Sequence, residues 1–91
     1  MIKHVNITIT GNVQKVGFRF AAIDEALELG LVGFVKNYED NKVQIEAEGE
    51  VDQLKLFLRW CHIGPKGALV EKVDYESTED LQKYESFSAE Y

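Results

Sequence analysis

The stretch Gly11-Asn12-Val13-Gln14-Lys15-Val16-Gly17-Phe18-Arg19 joins two different periodicities. Before it, over 3–10, Val5, Ile7 and Ile9 alternate with His4, Asn6, Thr8 and Thr10. That is the period-two pattern of a strand with one apolar face inward and one polar face outward. After it, over 18–29, Phe18, Ala22, Ala26 and Leu29 fall on one helical line, with Ile23 and Leu27 beside it. A glycine-bounded turn between strand and helix leaves several backbone N–H groups without partners, and the helix start adds positive potential there. Arg19 brings a fixed bidentate donor to the same place. The combination suits an oxyanion with several acceptor oxygens, most simply a phosphate.

The rest of the chain repeats the alternation of strand and helix. Gly30 is a natural helix stop, and residues 31–38 read as a second strand. Glu39-Asp40-Asn41-Lys42 gives a tight turn, in which Asp and Asn tolerate positive φ. Val43, Ile45 and Ala47 alternate in a third strand that ends at Gly49. Val51, Leu54, Phe57, Leu58 and Cys61 mark a second helix, closed by Gly64-Pro65. Ala68 and Val70, then Val73 and Tyr75, suggest a fourth strand whose apolar phase slips by one, as a β-bulge near Glu71-Lys72 would cause. Phe87, Ala89 and Tyr91 alternate in a short final strand. The order predicts a ferredoxin-like α+β fold, βαββαβ, with an antiparallel sheet, both helices on one face and a short extra C-terminal strand. The other face is expected to meet water, with Glu46 and Glu48 solvated on it.

Composition sets the outer limits. Ninety-one residues make one domain, 1–91, burying roughly 60–65% of its unfolded surface. No apolar run reaches the length of a membrane span, and the chain enters a strand pattern at once, so no secretory leader or membrane is expected. One cysteine allows no internal disulfide and fits a reducing, cytoplasmic setting. The net charge of −6 argues against nucleic acid as a partner. It also makes a local cluster of Lys15, Arg19 and Lys36 notable, since the remaining surface would repel an anion.

The motif Gly11-x-Val13-Gln14-x-Val16-Gly17-Phe18-Arg19, followed by Gly30-Leu31-x-Gly33-Phe34-Val35-Lys36-Asn37, resembles the paired signatures of the acylphosphatase family. Val43-x-Ile45-x-Ala47-x-Gly49 and Gly64-Pro65 are similar to that family too, so the likeness spans nearly the whole chain. Acylphosphatases are small ferredoxin-like enzymes that hydrolyse carboxyl–phosphate anhydrides without metal or cofactor. The resemblance implies that Arg19 binds the phosphate and that Asn37 holds the attacking water. It implies that the loop Val13, Gln14, Lys15, Val16, Gly17 and Phe18 supplies N–H donors to the phosphoryl oxygens. It further implies a small-molecule acyl phosphate substrate and a monomer. The approach of Asn37 to the loop comes from the family, not from spacing. Lys15 stands where the family most often has glycine; at positive φ a lysine costs roughly 1 kcal/mol, and its ammonium adds attraction for a dianion.

Other residues read as structural. Cys61 sits on the apolar stripe of the second helix, where a buried thiol is inert. His4 and His62 lack metal partners at ligand spacing. Gly11 to Gly17 is not a Walker loop, since no Lys-Ser/Thr pair follows. Asn6, Thr8, Gln44, Glu46 and Glu48 on the outward face argue against an RNA-binding sheet, which would show aromatic residues there. The remaining rival is a non-catalytic phosphate- or small-ligand-binding module on the same fold.

Overall fold

The computed structural model describes residues 1–90. The elements run β1 (Ile2–Asn12), α1 (Phe18–Glu28), β2 (Val32–Asn37), β3 (Lys42–Glu50), α2 (Val51–Ile63), β4 (Leu69–Thr78) and β5 (Phe87–Glu90). Tyr91, expected to end the last alternation, lies outside the described residues. One sheet holds all the strands in the order β4-β1-β3-β2-β5. β1 pairs antiparallel with β3 and β4, and β2 antiparallel with β3. The extra strand departs from the expected antiparallel sheet: β5 pairs parallel with β2, from Gly33↔Phe87 to Lys36↔Glu90. The chain leaves β4 at one sheet edge and must cross to the other before β5 can pair, so it arrives running the same way as β2.

Both helices cover one face. Val5, Ile7 and Ile9 of β1, Val35 of β2, and Val43, Ile45 and Ala47 of β3 are buried beneath Phe18, Ala22 and Ala26 of α1 and Leu54, Phe57 and Cys61 of α2. A fully buried Val, Leu, Ile or Phe side chain contributes roughly 1.5–3 kcal/mol. Leu27, placed beside the stripe by its spacing, is 56% exposed. It lies one residue past Ala26, about 100° round the helix from the buried line. α1 stops in a Schellman arrangement: the Gly30 N–H donates to the Leu27 carbonyl at 3.1 Å and the Leu31 N–H to the Ala26 carbonyl at 2.9 Å.

The apolar phase slip in β4 is a real bulge. Thr10 opposes Lys72 and Gly11 opposes Val70, which leaves Glu71 as the extra residue. Gly11 has φ 145°, and a Cβ there would run into the Leu69 carbonyl, so only glycine fits. In the β2–β3 turn, positive φ falls on Glu39 (55°) and Asn41 (59°), with Asp40 outside that set.

The second face is not simply solvated. His4 and Glu48, expected outward on β1 and β3, are 5% and 3% exposed. The segment 79–86 crosses this face between the two sheet edges and covers them. The Gln82 and Lys83 N–H groups donate to the Glu48 carboxylate at 2.5 and 2.9 Å. The Tyr84 hydroxyl donates to Glu46 at 3.3 Å, and its ring packs against Phe34. His4 Nδ1 lies 2.7 Å from Glu48 Oε2, and its Nε2 lies 2.9 Å from Glu46 Oε1. Both ring nitrogens have a carboxylate acceptor, so the protonated ring can donate to both at once. Burial raises the Glu48 carboxyl's affinity for a proton. The Gln82 amide, His4 and the Lys83 amide outweigh that and hold its pKa below the usual value.

Candidate active site

The loop between β1 and α1 is pinned at both ends. Val13 and Phe18 are each 1% exposed, and the Phe18 ring packs on Trp60 at 5.3 Å between centroids. Between these anchors, Lys15 and Gly17 are exposed and left-handed, with φ 64° and 75°. Gly17 caps α1 without a side-chain hydrogen bond, so the first-turn amides are offered outward rather than to a capping oxygen. Gln14 belongs to the loop by sequence, but its side chain is engaged elsewhere. Its Nε2 donates to the carbonyls of Glu39 at 2.6 Å and Lys42 at 2.8 Å, tying the loop to the β2–β3 hairpin. Gln14 is therefore an anchor whose contribution to an anion would come from its backbone.

Sheet topology brings Asn37 to this loop. β1 and β2 are both antiparallel to β3, so they run parallel to each other and finish at the same end of the sheet. The loop leaves the end of β1, and Asn37 is the last residue of β2. Val35 is fully buried under the helices, and Asn37, two residues on, faces the same side. A cavity of about 260 Å³ results. Val13, Lys15, Gly17 and Phe18 form its loop wall, and Arg19, Phe20 and Asn37 complete it. Arg19 is half-buried.

Lys36 does not join this cluster. It is offset by one residue from both Val35 and Asn37, so it points to the opposite face, with its ammonium 5.8 Å from the Phe34 ring centre. Strand alternation alone would have placed it there. Phe20 lines the cavity although sequence reasoning passed over it; its place beside Arg19 in the first turn of α1 was the available signal.

Among the described residues, no carboxylate lines the cavity, and the charged side chains that line it are the cations Lys15 and Arg19. A hollow of about 540 Å³ lies elsewhere, on the open part of the second face. Asp74 and Glu76 border it among Asn6, Thr8, Tyr38 and Gln44, which disfavours an anion. Burial pushes the Cys61 thiol up, reinforced by Glu25, so it is no nucleophile at neutral pH. Among the described residues, no group of three or more His, Cys, Asp or Glu side chains could hold a metal ion. No helix among them is long and apolar enough to cross a membrane.

A ferredoxin-like domain with a cationic, backbone-lined cavity at a helix start defines an anion-handling class rather than one reaction. Comparison with known proteins narrows it. The family model for acylphosphatase matches residues 5–89. An acylphosphatase of Trichormus variabilis is 43% identical over 83 residues, covering 89% of this chain and 82% of that one. One of Marinobacter nauticus is 40% identical over 86 residues, covering 94% of each. The crystal structure of the acylphosphatase from Bacillus subtilis superposes with a TM-score of 0.94 at 33% identity, covering all of both chains. The chain belongs to the acylphosphatase family, hydrolases that act on acyl phosphates, as the motif pair implied.

Proposed function

We propose that residues 1–91 act as one acylphosphatase domain, with Arg19 and the loop amides of residues 13–18 holding the phosphoryl group and Asn37 placing the attacking water. The observation that supports this most is the single cavity that Arg19, Asn37 and the left-handed loop share. An acyl phosphate carries its own good leaving group, a carboxylate. The protein must therefore hold the phosphoryl group, neutralise its charge and set water in line. Arg19 and the amides stabilise charge on the equatorial oxygens. Water's oxygen bonds to phosphorus as the bond from phosphorus to the carboxylate oxygen breaks. The carboxylate leaves with the electron pair, and the water's proton passes to a phosphate oxygen.

Asn37 orients water but cannot take a proton. Among the described residues, no imidazole or carboxylate lines the cavity to act as a base. His4 is spent on Glu46 and Glu48, and His62 Nδ1 on the Leu58 carbonyl at 2.8 Å. The pH profile of kcat/KM is therefore expected to lack a side-chain base near pH 7; a strict dependence on either histidine would sink this mechanism. The same reading gives a monomer acting on a small-molecule acyl phosphate in the cytoplasm, with no nucleic-acid partner, metal or cofactor.

The test is hydrolysis of benzoyl phosphate with a chelator present. Turnover by the native protein supports the reading. Phosphate binding without turnover would leave the rival, a ligand-binding module of the same fold.

A further inference from the structure

The proposed roles leave part of the cavity wall unused. Val13 and Phe18 are committed to the core, and Gly17 has no side chain. With Arg19 on the phosphate and Asn37 on the water, the side chains left among the described lining residues to meet the rest of the substrate are Lys15 and Phe20. Phe20 is 65% exposed, so an aromatic surface borders the cavity mouth. Lys15 is exposed, and it joins none of the ion pairs found among the described residues. It also lines a second hollow, with Asn12, Asn41 and Glu71, so Lys15 borders both hollows. Its φ of 64° is one that glycine adopts without strain, yet a lysine occupies it. Other strained residues, such as Glu39 and Asn41, lie outside this cavity.

We propose that Lys15 and Phe20 form an acyl-group subsite that favours acyl phosphates with an apolar, planar body and a second negative charge. Phe20 would stack on the body, and the Lys15 ammonium would pair with the remote anion. The inference rests on the reading of the cavity as the phosphoryl site. It goes beyond that reading by assigning the selectivity to two side chains outside the phosphoryl step.

The experiment compares kcat/KM for acetyl phosphate, benzoyl phosphate and 4-carboxybenzoyl phosphate. The rigid para-carboxylate cannot attack its own anhydride. The native protein is expected to prefer the carboxylated substrate over benzoyl phosphate by roughly two- to fivefold at low salt, the range of an exposed ion pair, and to lose that preference at high salt. Lys15→Gln, which keeps the loop's side chain long but uncharged, should bring the ratio to one or below. Phe20→Ala should lower the benzoyl-to-acetyl ratio by roughly two- to tenfold. A native carboxybenzoyl-to-benzoyl ratio at or below one would overturn the subsite. So would a Lys15→Gln variant that slows both aromatic substrates equally, since Lys15 would then serve the transferred phosphate. Failure of the native protein to hydrolyse any of the three would instead overturn the acylphosphatase mechanism, a distinct result.

Discussion

Two backbone cradles for an anion sit at different places on the same sheet, and each contains a left-handed lysine. In the segment 79–86, Lys83 has φ 58°, and the successive N–H groups of Gln82 and Lys83 close on the Glu48 carboxylate. In the loop after β1, Lys15 has φ 64° and the wall runs from Val13 to Arg19. Successive amides in such turns form concave sites for negative oxygens. The first cradle is filled by the protein's own buried Glu48 carboxylate; in the second, Lys15 and Gly17 are exposed. The same local device thus stabilises the fold in one place and, on the proposed reading, receives a substrate's phosphoryl group in the other. A cradle without a side-chain carboxylate of its own at the centre needs outside support to keep its shape. Val13, Phe18 and the two Gln14 hydrogen bonds supply it.

The largest expected effects fall on the open cradle and leave the filled one intact. Arg19→Ala should lower kcat/KM for benzoyl phosphate by about 10³-fold, as loss of a charged donor to a developing phosphoryl charge does. Asn37→Ala should cost about 10²-fold, since water positioning is lost while the phosphate remains bound. Thermal unfolding of both variants should match the native protein closely, because neither residue belongs to the buried core. A variant that lost activity and stability together would break the separation of the two cradles.

Glu48→Gln makes the opposite cut. It replaces the buried carboxylate that accepts from Gln82, Lys83 and His4. Charged hydrogen bonds of this kind contribute about 1.5–3 kcal/mol each when a partner is lost, so a destabilisation of about 2 kcal/mol is expected. Benzoyl phosphate turnover should persist. The pH dependence follows from the lowered Glu48 pKa. The folded protein holds this carboxyl less protonated than the unfolded chain does. Its stabilisation is present above the unfolded carboxyl range and is lost as pH falls through the folded value. Denaturant unfolding between pH 6 and pH 3 (roughly the carboxylate range and below) should show the native curve falling more steeply than that of Glu48→Gln. Parallel curves would remove Glu48 from the account.

The two cradles were unequally legible in the sequence. The open one is nearly continuous in the chain, so Gly11, Gly17 and Arg19 announced it by spacing, and the bulge at Glu71 was visible as a phase slip. The approach of Asn37 was open to derivation from two strands finishing at the same end of the sheet, although residue spacing alone did not show it. The filled cradle was hidden. His4 and Glu48 are 44 positions apart and occupy polar positions of alternating strands, which is also how solvated residues read. Segment 79–86 has no apolar period, because it is held by backbone donors and one tyrosine rather than by a buried stripe. Period alone reports which face a residue takes, not what later crosses that face.

A smaller effect is expected at the support of the open cradle. Gln14→Ala removes both bonds to the hairpin carbonyls while leaving the Arg19 side chain in place. It should lower kcat/KM by about tenfold through loop misplacement, with a stability loss of about 1 kcal/mol. A KM rise accompanied by an unchanged kcat would instead show that the loop only binds.

The smallest effect compares the two lysines directly. Lys15→Gly and Lys83→Gly each relieve a left-handed residue, worth about 1 kcal/mol, and each add about 0.4–1 kcal/mol of backbone entropy to the unfolded chain. The terms nearly cancel, so each variant should change stability by about 0.5 kcal/mol or less, measured by denaturant unfolding. If the cradles share one geometry, the two changes should also match one another. A loss well beyond that at Lys15 alone would mean that its side chain makes a stabilising contact in the free protein and is not held ready for a ligand. A loss at Lys83 alone would point instead to its ammonium supporting the Glu48 cradle, making the filled site a charge cluster as well as a backbone one.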